Sequence, residues 1–214
     1  MLAELKLEVA LRDVQPWAFT TDFLLLNPAA SLPVLEIEAG PVLSGAYPIS
    51  EYLAEEAKLD ATDSQLIQLF PGDHEQRAEV RRLVDWFHRK TYDEATAHIL
   101  EEKLYKSFSA NREKAPDADV MRAIRRNLGY SLSYLDHLVE ERQWLAGDDL
   151  SFADFAAAGQ LSCADYLAEV DWSRHERAKL WYAKIKSRPS MRSLLVERVS
   201  GAAPPPPYYG DPDF

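Results

Sequence analysis

The stretch WLAGDDLSFADFAAAGQLSCADY, Trp144 to Tyr166, decides the fold. Gly147-Asp148-Asp149 is turn chemistry. Ser151-Phe152-Ala153-Asp154 has the spacing of a capping box. In such a box the Ser151 hydroxyl accepts from a backbone N–H of the first turn, and the Asp154 carboxylate reaches back to the N-cap N–H. That carboxylate also lies at the positive end of the helix dipole. A cap of this kind contributes about 1 kcal/mol. Phe155, Ala156, Ala157, Ala158, Leu161, Cys163, Ala164 and Leu167 follow, and 152–164 holds no Lys or Arg. A helix apolar nearly all round is buried on every side. The pattern predicts a capped core helix that organises a helical domain and does no chemistry itself, Ser151 and Asp154 being structural.

The 214 residues allow one or two domains, and 47% apolar residues suffice for a core. With 24 basic and 35 acidic residues the net charge is −11, which gives no support for a surface built for nucleic acid or an anionic membrane. The chain lacks the run of about 18 apolar residues that a membrane span needs. Glu4, Lys6 and Glu8 are incompatible with a signal peptide. Cys163 is alone, so it makes no internal disulfide, and a reducing cytoplasm fits best. It reads as a small core residue rather than a nucleophile.

Leu7, Val9 and Leu11 alternate with Glu8, Ala10 and Arg12, as in a half-buried strand. Thr20 or Thr21 caps a short helix over Phe23 to Leu26, stopped by Asn27-Pro28. Leu32 to Ile37 reads as a strand opened by Pro33, Glu38-Ala39-Gly40 as a hairpin turn, and Pro41-Val42-Leu43 as the returning strand. Ala46 to Glu56 is helical, with Ile49, Tyr52 and Leu53 on one side. Residues 57–74 are the linker, broken by Asp60, Thr62, Asp63 and Pro71-Gly72-Asp73. Glu75 to Phe108 follows helical spacing through Val80, Leu83, Val84, Phe87, Ala95, Ile99 and Leu104. Val120 to Arg142 does so through Met121, Ile124, Leu128, Leu132, Leu135 and Leu138. Arg174 to Ser187 and Ser190 to Val199, split by Pro189, complete the helices. Pro204 to Pro207 give the tail an extended polyproline character.

His74, His88, His98, His137 and His175 show no metal-ligand spacing, and Glu94 with His98 reads as a solvated i,i+4 pair. No glycine-rich phosphate loop is present. Trp17 lies in a loop, either pinned beneath the linker or exposed for a partner, a position where Trp serves well as a hot spot.

Asn27-Pro28-x-x-x-Leu32-Pro33-Val34-Leu35, Ile49-x-x-Tyr52-Leu53 and Ser151-x-x-Asp154 together resemble the cytosolic glutathione transferases. The resemblance implies an α+β two-domain fold. A thioredoxin-like domain would span residues 1–56 with a cis Pro33, a linker 57–74, an all-α bundle 75–200 and a Pro-rich tail 201–214. It also implies that Met1 to Glu8 is the tail of the family's first helix running into its second strand. On that reading the first strand and the start of the first helix lie upstream of Met1, as does the usual catalytic residue, so no catalytic residue is assigned.

The family grips the γ-glutamyl group with an acidic residue and a Ser, and the matching positions here are Gly45 and Ala46. Each lost polar partner weakens a ligand by about 1–3 kcal/mol. Leu32, Pro33, Gly45 and Ala46 are therefore expected to form a remnant of a glutathione site that binds glutathione poorly, with no cofactor and no metal.

Within the family, the regions around Trp17, Asp85 to Lys90, Trp144 to Gly147, Trp181 to Pro189 and the Asp-Pro-Asp-Phe end resemble the alphaproteobacterial division proteins that bind FtsZ. That resemblance implies a cytoplasmic homodimer that contacts FtsZ filaments at the division site without transferase chemistry. It assigns partner binding to Trp17, to Glu102 and Lys103, and to Tyr208, Tyr209, Asp211, Asp213 and Phe214 of the tail. The alternative is a glutathione S-transferase that conjugates glutathione to small electrophiles with a side chain supplied from upstream.

Overall fold

The computed structural model describes residues 1–59, 68–108, 115–199 and 202. The chain divides into two compact units, Met1–Ile67 and Gln68–Phe214. The middle of the expected linker lies outside the described residues, as does the tail with Tyr208, Tyr209, Asp211, Asp213 and Phe214.

The first unit opens on a turn. Lys6 has a φ of 54°. Its N–H reaches the Ala3 carbonyl at 3.3 Å, and the Leu7 N–H reaches Leu2 at 3.0 Å. These nested bonds form a Schellman-type turn that reverses the chain at Lys6. Leu5 is buried within the unit. Helix α1, Thr21–Leu26, is capped by the Thr20 hydroxyl, which accepts from the Phe23 N–H at 3.2 Å. Asn27 ends it and is itself buried. Its side-chain amide donates to the Ser31 carbonyl at 2.8 Å and so shapes the approach to Pro33.

Strands β1, Val34–Glu36, and β2, Val42–Ser44, form an antiparallel hairpin in the register Val34↔Ser44, Leu35↔Leu43 and Glu36↔Val42. Helix α2, Ala46–Leu59, follows and buries Ile49, Leu53, Ala54 and Ala57. The strand expected over Leu7 to Leu11 is not formed: among the described residues no ladder runs through it. Val9 is 38% and Leu11 83% exposed. Alternation alone does not make a strand, since a strand's N–H and C=O groups need a partner backbone.

The second unit is helical. Helix α3, His74–Asp85, begins with a capping box. Asp73 accepts from the Glu75 and Gln76 N–H groups at 2.9 and 3.0 Å, and Gln76 accepts from the Asp73 N–H at 2.9 Å. Asp73, near the end of the expected linker, is thus the N-cap of α3. The run continues without a break through Trp86–Thr96, α4 (Ala97–Leu100), Glu101–Tyr105 and α5 (Lys106–Phe108). Trp86–Thr96 and Glu101–Tyr105 are wound as π-helix, with the Ala97 N–H bonded to Tyr92 and the Lys106 N–H to Glu101. The wider turn keeps Phe87, Thr91, Ala95 and Ile99, each four residues on, together in the core. Thr91 is tolerated there because its hydroxyl meets that of Ser131 at 3.2 Å.

Helix α6, Ala118–Glu141, is capped by Asp117. Helix α7, Phe152–Tyr166, is followed by α8, Glu176–Lys186, and α9, Arg192–Val196. Helix α7 packs against α3, against the Trp86–Thr96 segment and against α8, and Ser151 to Ala158 are all buried. The capped core helix is where the sequence pattern places it. No helix among the described residues is long and apolar enough to cross a membrane.

Candidate functional site

The residues expected to form a glutathione-site remnant lie on two loops of the first unit. The Leu32–Pro33 peptide bond is cis. The Pro33 carbonyl accepts the Gly45 N–H at 2.9 Å, which brings the start of β1 beside the junction of β2 and α2. Leu32 is 39% exposed beside it. Gly45 has a φ of 91°, a backbone that side-chain-bearing residues rarely adopt. Glycine takes this conformation without strain. Ala46 opens α2. The structure brings Leu32, Pro33, Gly45 and Ala46 together, and neither Gly45 nor Ala46 carries a polar side chain for an ammonium or carboxylate.

Trp17 sits in a tight turn before α1, closed by the Ala18 N–H to the Gln15 carbonyl at 3.0 Å. It is 39% exposed, neither buried nor fully presented. The Phe19 and Phe23 rings stack at 4.8 Å nearby in sequence and stiffen the entry to α1.

Glu102 and Lys103 face inward. Glu102 is buried, and its carboxylate takes the Lys106 ammonium at 2.5 Å and the Asp117 N–H at 2.9 Å. Lys106 first, then the Asp117 N–H, hold that carboxyl below the usual carboxylate range. Lys103 donates to the Leu167 carbonyl and to Glu169 Oε1, the latter at 2.6 Å. Glu169 is buried and also takes Arg125 Nε at 2.8 Å. The short charged motif did not reveal these roles, because Glu169 and Asp117 meet it only through the fold. Both side chains join the end of the long helical run to the end of α7 and the start of α6.

Asp154 proves more than a cap. Its carboxylate accepts from the Ser151 N–H (3.0 Å), the Ser151 hydroxyl (3.1 Å), the Leu145 N–H (3.0 Å) and Trp181 Nε1 (3.0 Å). Burial pushes its carboxyl up, while these four donors pull it down. Lys186, also buried, lies 3.6 Å from Asp165. Burial lowers the Lys186 ammonium and raises the Asp165 carboxyl.

An apolar cavity of about 140 Å³ opens between the end of the long helical run, the end of α7 and the segment after α9. Leu100, Leu104, Cys163, Tyr166, Leu167 and Val199 are among its lining residues. Cys163 is half-buried, and burial raises its thiol above the usual range. On another face the Trp86 ring meets Tyr134 at 4.5 Å and Tyr130 at 6.2 Å, with Lys90 over both Trp86 and Tyr130. Tyr130 is 61% exposed. The sequence reading missed this cluster, because its partners lie 40 and more residues apart. Glu94 pairs with Lys90 at 2.5 Å, and no pairing with His98 is formed among the described residues. No group of three metal-ligating side chains is found among the described residues.

The sequence matches the family model of the glutathione S-transferase N-terminal domain over residues 1–56 and that of the C-terminal domain over residues 98–198. It is 38% identical to the FtsZ-localized protein A of Caulobacter vibrioides, across 100% of this chain and 90% of that protein. The crystal structure of a glutathione S-transferase from Sinorhizobium meliloti is similar with a TM-score of 0.91 and 42% identity, covering 100% of this chain and 91% of the other. FzlA from C. crescentus is similar with a TM-score of 0.90 and 37% identity, over the same shares.

Proposed function

The chain belongs to the glutathione S-transferase family, and from that premise we propose that it is a division protein that binds FtsZ filaments, not a transferase. The observation that carries this reading is the 38% identity, along the whole chain, to a protein named for its localisation with FtsZ. The remnant site supports it: the backbone turn of Pro33 and Gly45 is kept, while the side chains at Gly45 and Ala46 offer no group for glutathione's charged end. Trp17 and the tail residues Tyr208, Tyr209, Asp211, Asp213 and Phe214 form the partner contacts. Glu102 and Lys103 serve from inside, by holding the helix ends in place. The protein acts as a homodimer in the cytoplasm at the division site, and the face where exposed Tyr130 meets the half-buried Trp86 and Tyr134 suits the contact between copies.

Co-sedimentation with FtsZ polymers tests the reading. The wild-type chain pellets with the polymers, and Trp17→Ala pellets less while its helical unit keeps its ellipticity. Equal pelleting of both removes Trp17 from the contact, and failure of the wild type to pellet refutes the function. The transferase reading is favoured by the 42% identity, along the whole chain, to the Sinorhizobium meliloti protein named as a glutathione S-transferase. Turnover of glutathione with a small electrophile would establish it.

A further inference from the structure

The last described part of the chain is tied to the core helix by a single hydroxyl. Tyr166, on the last turn of α7, is buried. Its hydroxyl accepts the Val199 N–H at 2.9 Å and donates to the Ala202 carbonyl at 3.0 Å. The Ala202 N–H turns back to the Val199 carbonyl at 3.2 Å and completes a closed turn. Val199 is 38% and Val196 71% exposed. Beneath this strap lies the cavity of about 140 Å³ rather than packed side chains, so dispersion contacts that would otherwise fasten it are missing. Segments with few buried contacts open first, unless a specific bond restrains them.

We propose that Tyr166 is a positioning residue that fixes where, and in what direction, the C-terminal tail leaves the helical unit. The proposal rests on the reading that this tail contacts FtsZ. Twelve residues follow Ala202, among them Pro204 to Pro207. A stiff proline run transmits the direction of its anchor to whatever it carries, so an anchor on the most buried helix of the unit gives the tail a defined starting point. Partner binding by a segment held in this way loses less ordering entropy than binding by a loose one.

The test uses the full chain and Tyr166→Phe, which keeps the buried ring and removes only the hydroxyl. Trypsin cuts after Arg198, and the N–H of that scissile bond is the one Tyr166 holds. Loss of two hydrogen bonds, each about fivefold in an equilibrium, raises the open fraction of the strap about 25-fold. Release of residues 199–214 therefore accelerates by about that factor where cleavage follows the open fraction. Amide exchange at Val199 rises in parallel, while exchange within α7 stays as in the wild type. Pelleting with FtsZ falls toward the level of a chain lacking residues 208–214. Unchanged cleavage and unchanged Val199 exchange overturn the clamp. Faster exchange throughout α7 also overturns it, since the effect is then global loosening. Faster cleavage with undiminished pelleting, where the tail deletion does lower pelleting, overturns the positioning role and leaves the FtsZ reading standing. If the wild type does not pellet at all, the FtsZ reading fails and the positioning role falls with it, even where cleavage and exchange still report the hydroxyl's bonds to the strap.

Discussion

Replacement of Asp154 by alanine removes the acceptor on which three separate pieces of the helical unit converge. The carboxylate takes N–H groups from Leu145 in the preceding loop, from Ser151 at the helix start and from the indole of Trp181 on α8, each at 3.0 Å. In Asp154→Ala these three donors face a buried, apolar surround with no acceptor. An orphaned buried donor costs about 1–3 kcal/mol. Some of this is offset, because burying the carboxylate is itself unfavourable. The lower end for each of the three donors gives a net loss of about 3 kcal/mol. Against a typical stability of about 5–15 kcal/mol, that brings the variant close to unfolding. Asp154→Asn keeps an oxygen for Leu145 and Trp181 but turns an amide toward the Ser151 N–H, and loses about half as much. Urea denaturation at neutral pH, followed by far-UV ellipticity, reads both numbers. A loss below about 1 kcal/mol for the alanine variant, or an asparagine variant as damaged as the alanine one, refutes the view of Asp154 as a three-way acceptor.

Glu79 is held down to about 2 by Arg82 first and then by Arg142, with contacts of 2.7 Å to each. A carboxyl depressed in the folded state stabilises above its unfolded value, and that contribution is lost as pH falls from about 4.5 to about 2. After allowance for solvent screening it is worth about 1 kcal/mol, and in acid denaturation Glu79→Gln should show a correspondingly shallower fall over that window. Lys103→Ala leaves Glu169 buried with Arg125 as its remaining cation. It should lower stability by about 1–3 kcal/mol, whereas a variant that keeps full stability but loses FtsZ pelleting would make Lys103 a direct contact. Titration calorimetry with millimolar glutathione should give little heat, because neither Gly45 nor Ala46 can pair with the γ-glutamyl charges; low-micromolar affinity would sink that account.

Much of the fold was legible because it depends on local chemistry. A Ser-x-x-Asp cap before an apolar run predicts a helix start from bonds that close within four residues, and that helix forms over Phe152–Tyr166. The hairpin, α1 and α6 were legible for the same reason: turn residues, caps and 3–4 spacing act over short distances. The start of α3, read at Glu75 and found at His74, was legible from the Pro71-Gly72-Asp73 turn whose last residue is the cap. Leu7 to Leu11 was misjudged because a strand is a property of two segments, and alternation describes one.

The candidate sites divide in the same way. The sequence by itself determined the family's core helix, the proline of the β1 loop and the absence of polar side chains at residues 45 and 46, since these are matters of residue type at fixed spacing. Only the tertiary structure decided that Glu102 and Lys103 look inward, that Asp154 serves three elements, that Trp86, Tyr130 and Tyr134 stack on one face, and that Tyr166 fastens Val199 and Ala202. Each of these joins groups 15 to 66 residues apart. Which side of a helix a charge faces, and which distant donor it meets, depends on how whole elements pack.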